Sequence, residues 1–310
     1  RKSLIPDKMQ LLSELSYSFV SKMNYINDQM GKMSPTFMEY VNNNREELDN
    51  LINYEKDFLL DYFGFKTLER AYLIKIEDKI IERPQDMWLR VACCIHQNDL
   101  ENTKKTYHQL SNLYYTHASP TLFNSGNVRC QLASCFLLGT EDNLDGITET
   151  WRQVSKISKW GGGIGVSVSN IRSKGSLIRG TNGPSTGIIP MLKVYNSIAR
   201  YVDQGGKRRG SFAIYLETHH PDIEPFLDLR KNVGSESERA RDLFLALWVS
   251  DLFMKQVKSN GQWYLMDPDE CPGLDEVYGE EYETLYWKYV EKKMYKKEMT
   301  AQTLFRKILD

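Results

Sequence analysis

From Gln131 onward the chain alternates short β-prone runs with runs of helical period, and that alternation restricts the fold more than any other feature of the sequence. Gln131 to Leu138 predicts a strand, Ile147 to Ile157 a helix, and Gly163 to Val168 a second strand. Ile188 to Tyr201 and Phe212 to Leu216 continue as helix and strand, while Arg239 to Lys258 is too apolar to assign to either class. Such a series buries its apolar faces as an α/β barrel or as a layered sheet with helices outside.

Upstream the pattern is different. Apolar positions recur every three to four residues in Met9, Leu12, Leu15 and Phe19, and again around Leu48, Leu51 and Ile52, which predicts helices, with Gly64 and Pro84 as breaks between them. Composition changes near Asn124-Ser125-Gly126-Asn127. The expected organisation is therefore a helical domain over 1–128 and an α/β domain over 129–310.

Bulk properties exclude several function classes. Forty Lys and Arg balance 41 Asp and Glu, so no net field draws the chain to nucleic acid or to an anionic membrane. No run of about 18 apolar residues is present and the first residues do not resemble a signal peptide, so a cytoplasmic protein is expected. The five cysteines lack metal-ligand or disulfide-framework spacing, which suits a reducing compartment and predicts no metal site. Cys93 and Cys94 follow Trp88 to Ala92, which reads as a buried helix, and are expected to be core thiols. The charged stretch Tyr289 to Glu298 predicts a solvated turn between helices. Ala301 to Asp310 is an amphipathic run with no stop signal, as expected of a chain cut from a longer one.

Three glycine-rich loops punctuate the second part. Trp160-Gly161-Gly162-Gly163-Ile164-Gly165 stands between a helix and a strand, the reverse of the order that a dinucleotide fingerprint requires, so it is either a tight turn or a place of close ligand approach. Gly180 to Gly187 lacks the lysine of a P-loop. Asp203 to Gly210 sets Lys207, Arg208 and Arg209 between glycines, which suits either an exposed basic turn or contact with phosphate. Together they describe a loop-built site for a small polar molecule.

Ordered blocks then point to a family. Thr116-His117-Ala118-Ser119-Pro120, Gln131-Leu132-Ala133-Ser134-Cys135-Phe136-Leu137, Gly162-Gly163-Ile164-Gly165-Val166 and Gly180-Thr181-Asn182-Gly183 recur in sequence order, followed by Tyr201-Val202-Asp203-Gln204-Gly205-Gly206, Phe212 to Glu217, Arg239 to Phe244 and Glu270 to Val277. From about Tyr54 onward the chain resembles the large, catalytic subunit of class I ribonucleotide reductases, and Tyr62 to Arg70 is closest to the eukaryotic and large-DNA-virus type.

The resemblance implies a helical amino-terminal domain followed by the first half of a ten-stranded α/β barrel. It implies reduction of ribonucleoside diphosphates by thiyl-radical chemistry, with Cys135 as the first cysteine of the reducing pair, and with Ser119, Ser134 and Gly163 at substrate-contacting positions. Asp142, Asn143, Leu144, Lys159, Arg172, Arg179 and Gly180 fall on the positions of the allosteric specificity site, which takes a deoxynucleoside triphosphate or ATP at a dimer interface. Gln204, Gly205, Gly206, Lys207, Arg208 and Arg209 fall on the loop that relays effector identity to the substrate base, here one residue shorter than the commonest eukaryotic form and without its proline.

Implied partners are a second large subunit, a small subunit whose metal cofactor generates the radical, thioredoxin or glutaredoxin as reductant, and a carboxy-terminal half. No tightly bound cofactor is implied for this chain. The 310 residues contain no Asn-x-Cys-x-Glu segment for a thiyl-bearing cysteine, no second reducing cysteine in family context and no counterpart of the amino-terminal ATP cone. The chain alone is therefore expected to reduce no ribonucleotide. Two readings remain at this stage, part of a working reductase or a catalytically silent homologue that binds effector, and the retained Cys135 favours the first.

Overall fold

The computed structural model describes residues 18–202 and 210–310, and the chain divides into two compact units after Ser134. The first unit is helical: α1 (Phe19–Met30), α2 (Pro35–Asn43), α3 (Arg45–Leu51), α4 (Tyr62–Ala71), a short hairpin of β1 (Lys75–Ile76) and β2 (Lys79–Ile80), then α5 (Pro84–Ile95), α6 (Leu100–Ser111) and α7 (Ser119–Asn124). Local chemistry sets the boundaries. Ser18 and Ser34 cap α1 and α2 through their side-chain oxygens, and Pro84 opens α5 as expected. Gly64 does not break a helix: its N–H donates to Asp61 Oδ1 at 2.6 Å, so the pair caps the start of α4.

Charge is buried in this unit with its partners. Arg90 and Glu82 are fully enclosed, Nε lying 2.5 Å from Oε1 and Nη2 3.1 Å from Oε2. Arg90 also donates to the carbonyls of Ser125 (2.8 Å) and Leu122 (3.0 Å), while Glu82 accepts from the Ile74 N–H at 3.1 Å. One arginine thus ties the end of α7 to α5. Cys93 is buried as expected, and Cys94 lies with its Sγ 3.3 Å from that of Cys130.

The second unit contains β3 (Cys135–Leu138), α8 (Leu144–Lys159), β4 (Gly163–Ser167), the small ribbon β5 (Leu177–Ile178) and β6 (Gly183–Pro184), and α9 (Ile188–Tyr201). It continues through β7 (Phe212–Glu217), α10 (Ile223–Leu227), β8 (Phe244–Trp248), α11 (Asp251–Ser259), β9 (Gln262–Leu265), α12 (Gly279–Glu291), β10 (Lys297–Thr300) and α13 (Ala301–Leu309). Four strands form one parallel sheet in the order β3-β4-β7-β8, with Cys135 in register with Gly163 and Ile164 with Phe212. Helices α8 and α9 are the crossovers, as parallel pairing requires. Burial alternates along β7, and Val166, Ile214 and Leu216 are buried in the unit's core. Glycine permits close packing of β4: a Cβ on Gly162 would lie 2.6 Å from Ile157 Cγ2, and one on Gly165 2.9 Å from Leu137 Cδ2.

Several expectations shift. The first strand begins at Cys135 instead of Gln131, because the carbonyls of Gln131 and Leu132 accept from Asn124 Nδ2 (2.8 Å) and Thr121 Oγ1 (3.1 Å), which holds this segment to the helical unit. Helix α8 starts ahead of its apolar period because Asn143 caps it, accepting from the Gly146 N–H at 2.7 Å. The apolar run from Arg239 holds both classes, β8 and then α11, separated by the cap residue Ser250. The stretch from Tyr289 to Glu298 is not simply solvated, since Lys296 Nζ pairs with buried Asp267 at 2.8 Å. The antiparallel ribbon of β9 and β10 was not foreseen. Among the described residues no helix is long and apolar enough to cross a membrane.

Candidate functional site

Beyond the carboxyl ends of β3 and β4 lies a cavity of about 830 Å³, within the range typical of small-molecule sites. Two segments bring the expected effector residues to it. One is the start of α8, which brings Asp142, Asn143 and Leu144, and the other is the loop between β4 and α9, which brings Arg172, Arg179 and Gly180. Six of the seven residues expected to bind an effector therefore meet at one place. The sequence reading missed the apolar bed, supplied by Ile147, Trp151 and Met191 from facing turns of α8 and α9, and it missed Asp269. The apolar residues follow from the helical period of α8 and α9, but nothing local distinguishes them from core.

Arg172 is already engaged. Its Nε donates to Asp142 Oδ2 at 2.7 Å, its Nη1 donates to the Leu177 carbonyl at 2.7 Å, and its Nη2 lies 3.6 Å from Asp269 Oδ1. The Arg172 N–H also donates to Asp142 Oδ1 at 3.3 Å. The guanidinium thus fixes the carboxylate of Asp142 and the shape of the loop, and Arg179 is the exposed cation of the rim.

Lys159 is the exception. It closes the far end of α8, about 23 Å from Leu144 at 1.5 Å per residue, and its Nζ rests 5.4 Å from the Trp160 ring centroid. Within one chain Lys159 does not line the cavity that Asp142 lines, since the two stand at opposite ends of α8.

The opposite ends of the strands carry Cys135 and Gly163. Cys135 opens β3, is exposed, and is paired in register with Gly163, which opens β4. In the helical unit Ser119 begins α7, its Oγ 2.9 Å from the hydroxyl of Tyr72, whose ring stacks on Phe123. Ser134 is half-buried and immediately precedes β3. Gln204, Gly205, Gly206, Lys207, Arg208 and Arg209 lie outside the described residues; in sequence they fall between α9 and β7.

Both units match parts of a known family. Residues 133–310 match the family described as the ribonucleotide reductase barrel domain, and residues 58–130 match the ribonucleotide reductase all-alpha domain. The chain belongs to the ribonucleotide reductase large-subunit family. It is 55% identical over 293 residues to the ribonucleoside-diphosphate reductase large subunit of Variola virus, covering 93% of this chain and 38% of that protein. The large subunit of Arabidopsis thaliana is 54% identical over 291 residues (92% of this chain, 36% of that protein), and that of Plasmodium falciparum isolate Dd2 56% over 279 residues (89% and 35%). The chain thus spans little more than a third of the length of these reductase relatives. Within the family's terms, the helical unit corresponds to the all-alpha domain and the parallel sheet to the barrel domain.

Proposed function

We propose that this chain supplies the effector pocket and the first reducing cysteine of a ribonucleoside-diphosphate reductase large subunit. The reading rests above all on the convergence of Asp142, Asn143, Leu144, Arg172, Arg179 and Gly180 on one cavity. A deoxynucleoside triphosphate or ATP suits that cavity, with base and sugar against the apolar bed and the phosphates toward Arg179.

In the reaction, the ribonucleoside diphosphate loses its 2′-hydroxyl as water while two cysteine thiols become a disulfide. Cys135 is one of the two, and its partner thiol and the thiyl radical come from outside these 310 residues. Thioredoxin or glutaredoxin then returns the disulfide to thiols. A small subunit generates the radical with its metal cofactor. Ser119, Ser134 and the Gly163 backbone contact the substrate, and the cytoplasm is the compartment. Helix α9 begins at Ile188, beside the cavity-lining Gly187 and Pro190, and ends at Tyr201, about 20 Å away, and in sequence the segment from Gln204 to Arg209 follows it. It is therefore the natural relay from effector to substrate base.

Lys159 reaches the pocket only from a second copy, which makes the effector site a property of the homodimer. Lys159→Ala and Arg179→Ala should each weaken binding of dTTP. Mixing the two variants after subunit exchange should then restore tight binding at about a quarter of the sites, because half the dimers are mixed and each mixed dimer rebuilds one pocket. Calorimetry reads that stoichiometry. Weakened binding in both variants with no recovery on mixing would show that Lys159 acts from the same chain as Arg179 and would contradict its delivery by a second copy.

A further inference from the structure

The loop from Val168 to Gly187 carries Arg172, Arg179 and Gly180, yet its regular structure amounts to the two-residue strands β5 and β6. Something else must hold it in shape. Ser173 and Ser176 are buried and turn inward onto Asp267, which is itself fully buried at the end of β9. Asp267 Oδ2 accepts from the Ser173 N–H (3.0 Å), Ser173 Oγ (2.5 Å), Ser176 Oγ (2.5 Å) and Lys296 Nζ (2.8 Å). Lys296 also contacts both serine hydroxyls. The other oxygen, Oδ1, accepts from the Asp269 N–H at 3.0 Å, and Asp269 is the residue that faces Arg172 in the cavity.

The ribbon brings the acid and the base together. Asp267 follows β9 and Lys296 precedes β10, and the Lys296 N–H donates to the Leu265 carbonyl at 2.8 Å. A second buried aspartate secures the loop's far end: Asp222 accepts from the N–H groups of Lys174 and Ile188, each at 3.1 Å. Gly187 permits that approach, with φ of +76° and a Cβ that would lie 2.5 Å from Asp222 Oδ2. Burial alone would push the Asp267 carboxyl up, but the hydrogen bonds from Lys296, Ser173 and Ser176 prevail and hold it down to about 2.

We propose that Asp267 and Lys296 are positioning residues for the nucleotide pocket: from beneath the loop, the pair holds Ser173 and Ser176 and, through Asp269, the guanidinium of Arg172. The proposal rests on the reading of the cavity as an effector site, and it extends that reading to residues which do not touch the ligand. A loop without the clamp must be ordered at the moment of binding, and the cost of that ordering appears as lost affinity.

The test compares the full 310-residue chain with Asp267→Asn, Lys296→Met, Lys296→Arg and Ser176→Ala, by amide hydrogen exchange without ligand and by calorimetric titration with dTTP. Asp267→Asn and Lys296→Met should raise exchange over residues 173–187 by about tenfold or more, leave the β3-β4-β7-β8 sheet protected, and weaken dTTP by about tenfold. Lys296→Arg should recover most of both effects. Ser176→Ala removes one donor and no charge, so it serves the same comparison at smaller amplitude if Asp267→Asn does not fold. Loop exchange and affinity that stay at wild-type levels in Lys296→Met and Ser176→Ala would overturn the proposal. Failure of the wild-type chain to bind any nucleoside triphosphate would instead overturn the effector reading, and the exchange comparison would still decide the clamp.

Discussion

Multiple turnover in a reconstituted reductase should fall to background on Cys135→Ser, with binding of the ribonucleoside diphosphate preserved. The thiol stands exposed at the first residue of β3, beside Gly163, where a substrate can approach without displacing core side chains. Serine matches cysteine closely in size, so the change removes redox chemistry and little else. A hydroxyl cannot form the disulfide by which the reducing pair gives up its electrons, nor be reset by a dithiol. The measurement is steady-state product formation after the rest of the catalytic body, a competent small subunit and thioredoxin have been added. Without those additions neither form should turn over. Sustained turnover by Cys135→Ser would remove Cys135 from the reducing pair.

The largest effect on stability should come from Arg90→Ala. It strands the fully buried Glu82 with one remaining hydrogen bond, from the Ile74 N–H, and it leaves the carbonyls of Leu122 and Ser125 without their donor. Breaking a buried pair by removing one partner typically costs about 3–5 kcal/mol. Replacing both, as Arg90→Met with Glu82→Leu, should recover much of the loss, because no orphaned charge then remains. Urea denaturation of the helical unit's transition reads the difference. A cost below about 0.5 kcal/mol for Arg90→Ala, the range of ordinary surface changes, would show that the pair is solvated in solution.

Much of this architecture is legible in the sequence, and the exceptions have physical causes. Helix α9 has the expected bounds because its apolar period is long and is followed by a glycine-rich break. Strands β4 and β7 were recoverable from short apolar runs beside glycine. The start of β3 was not, since side chains of α7 claim the preceding carbonyls and that contact is tertiary. The same holds for the site. Gly180 lies in one of the ordered motifs, whereas Asp142 and Arg172 were named only from the family resemblance. Asp267 reaches Ser173 across 94 residues of sequence, Lys296 reaches it across 123, and Asp222 reaches Ile188 across 34, and no periodicity or spacing encodes such pairings. Lys159 illustrates a different limit. A resemblance assigns a residue to a site without saying which copy of the chain delivers it, and only the length of α8 shows that its two ends cannot share one pocket.

The central claim is that the cavity between the start of α8 and the β4–α9 loop takes a nucleoside triphosphate, and calorimetric titration of the chain with dTTP tests it most directly. Wild-type protein should bind, and Arg172→Ala should bind about tenfold or more weakly, because charge-assisted hydrogen bonds are worth about 1.5–3 kcal/mol and Arg172 fixes both Asp142 and the Leu177 carbonyl. Its thermal stability should change little. Unchanged affinity in Arg172→Ala combined with Lys159→Ala would show that the triphosphate sits elsewhere and would contradict the account.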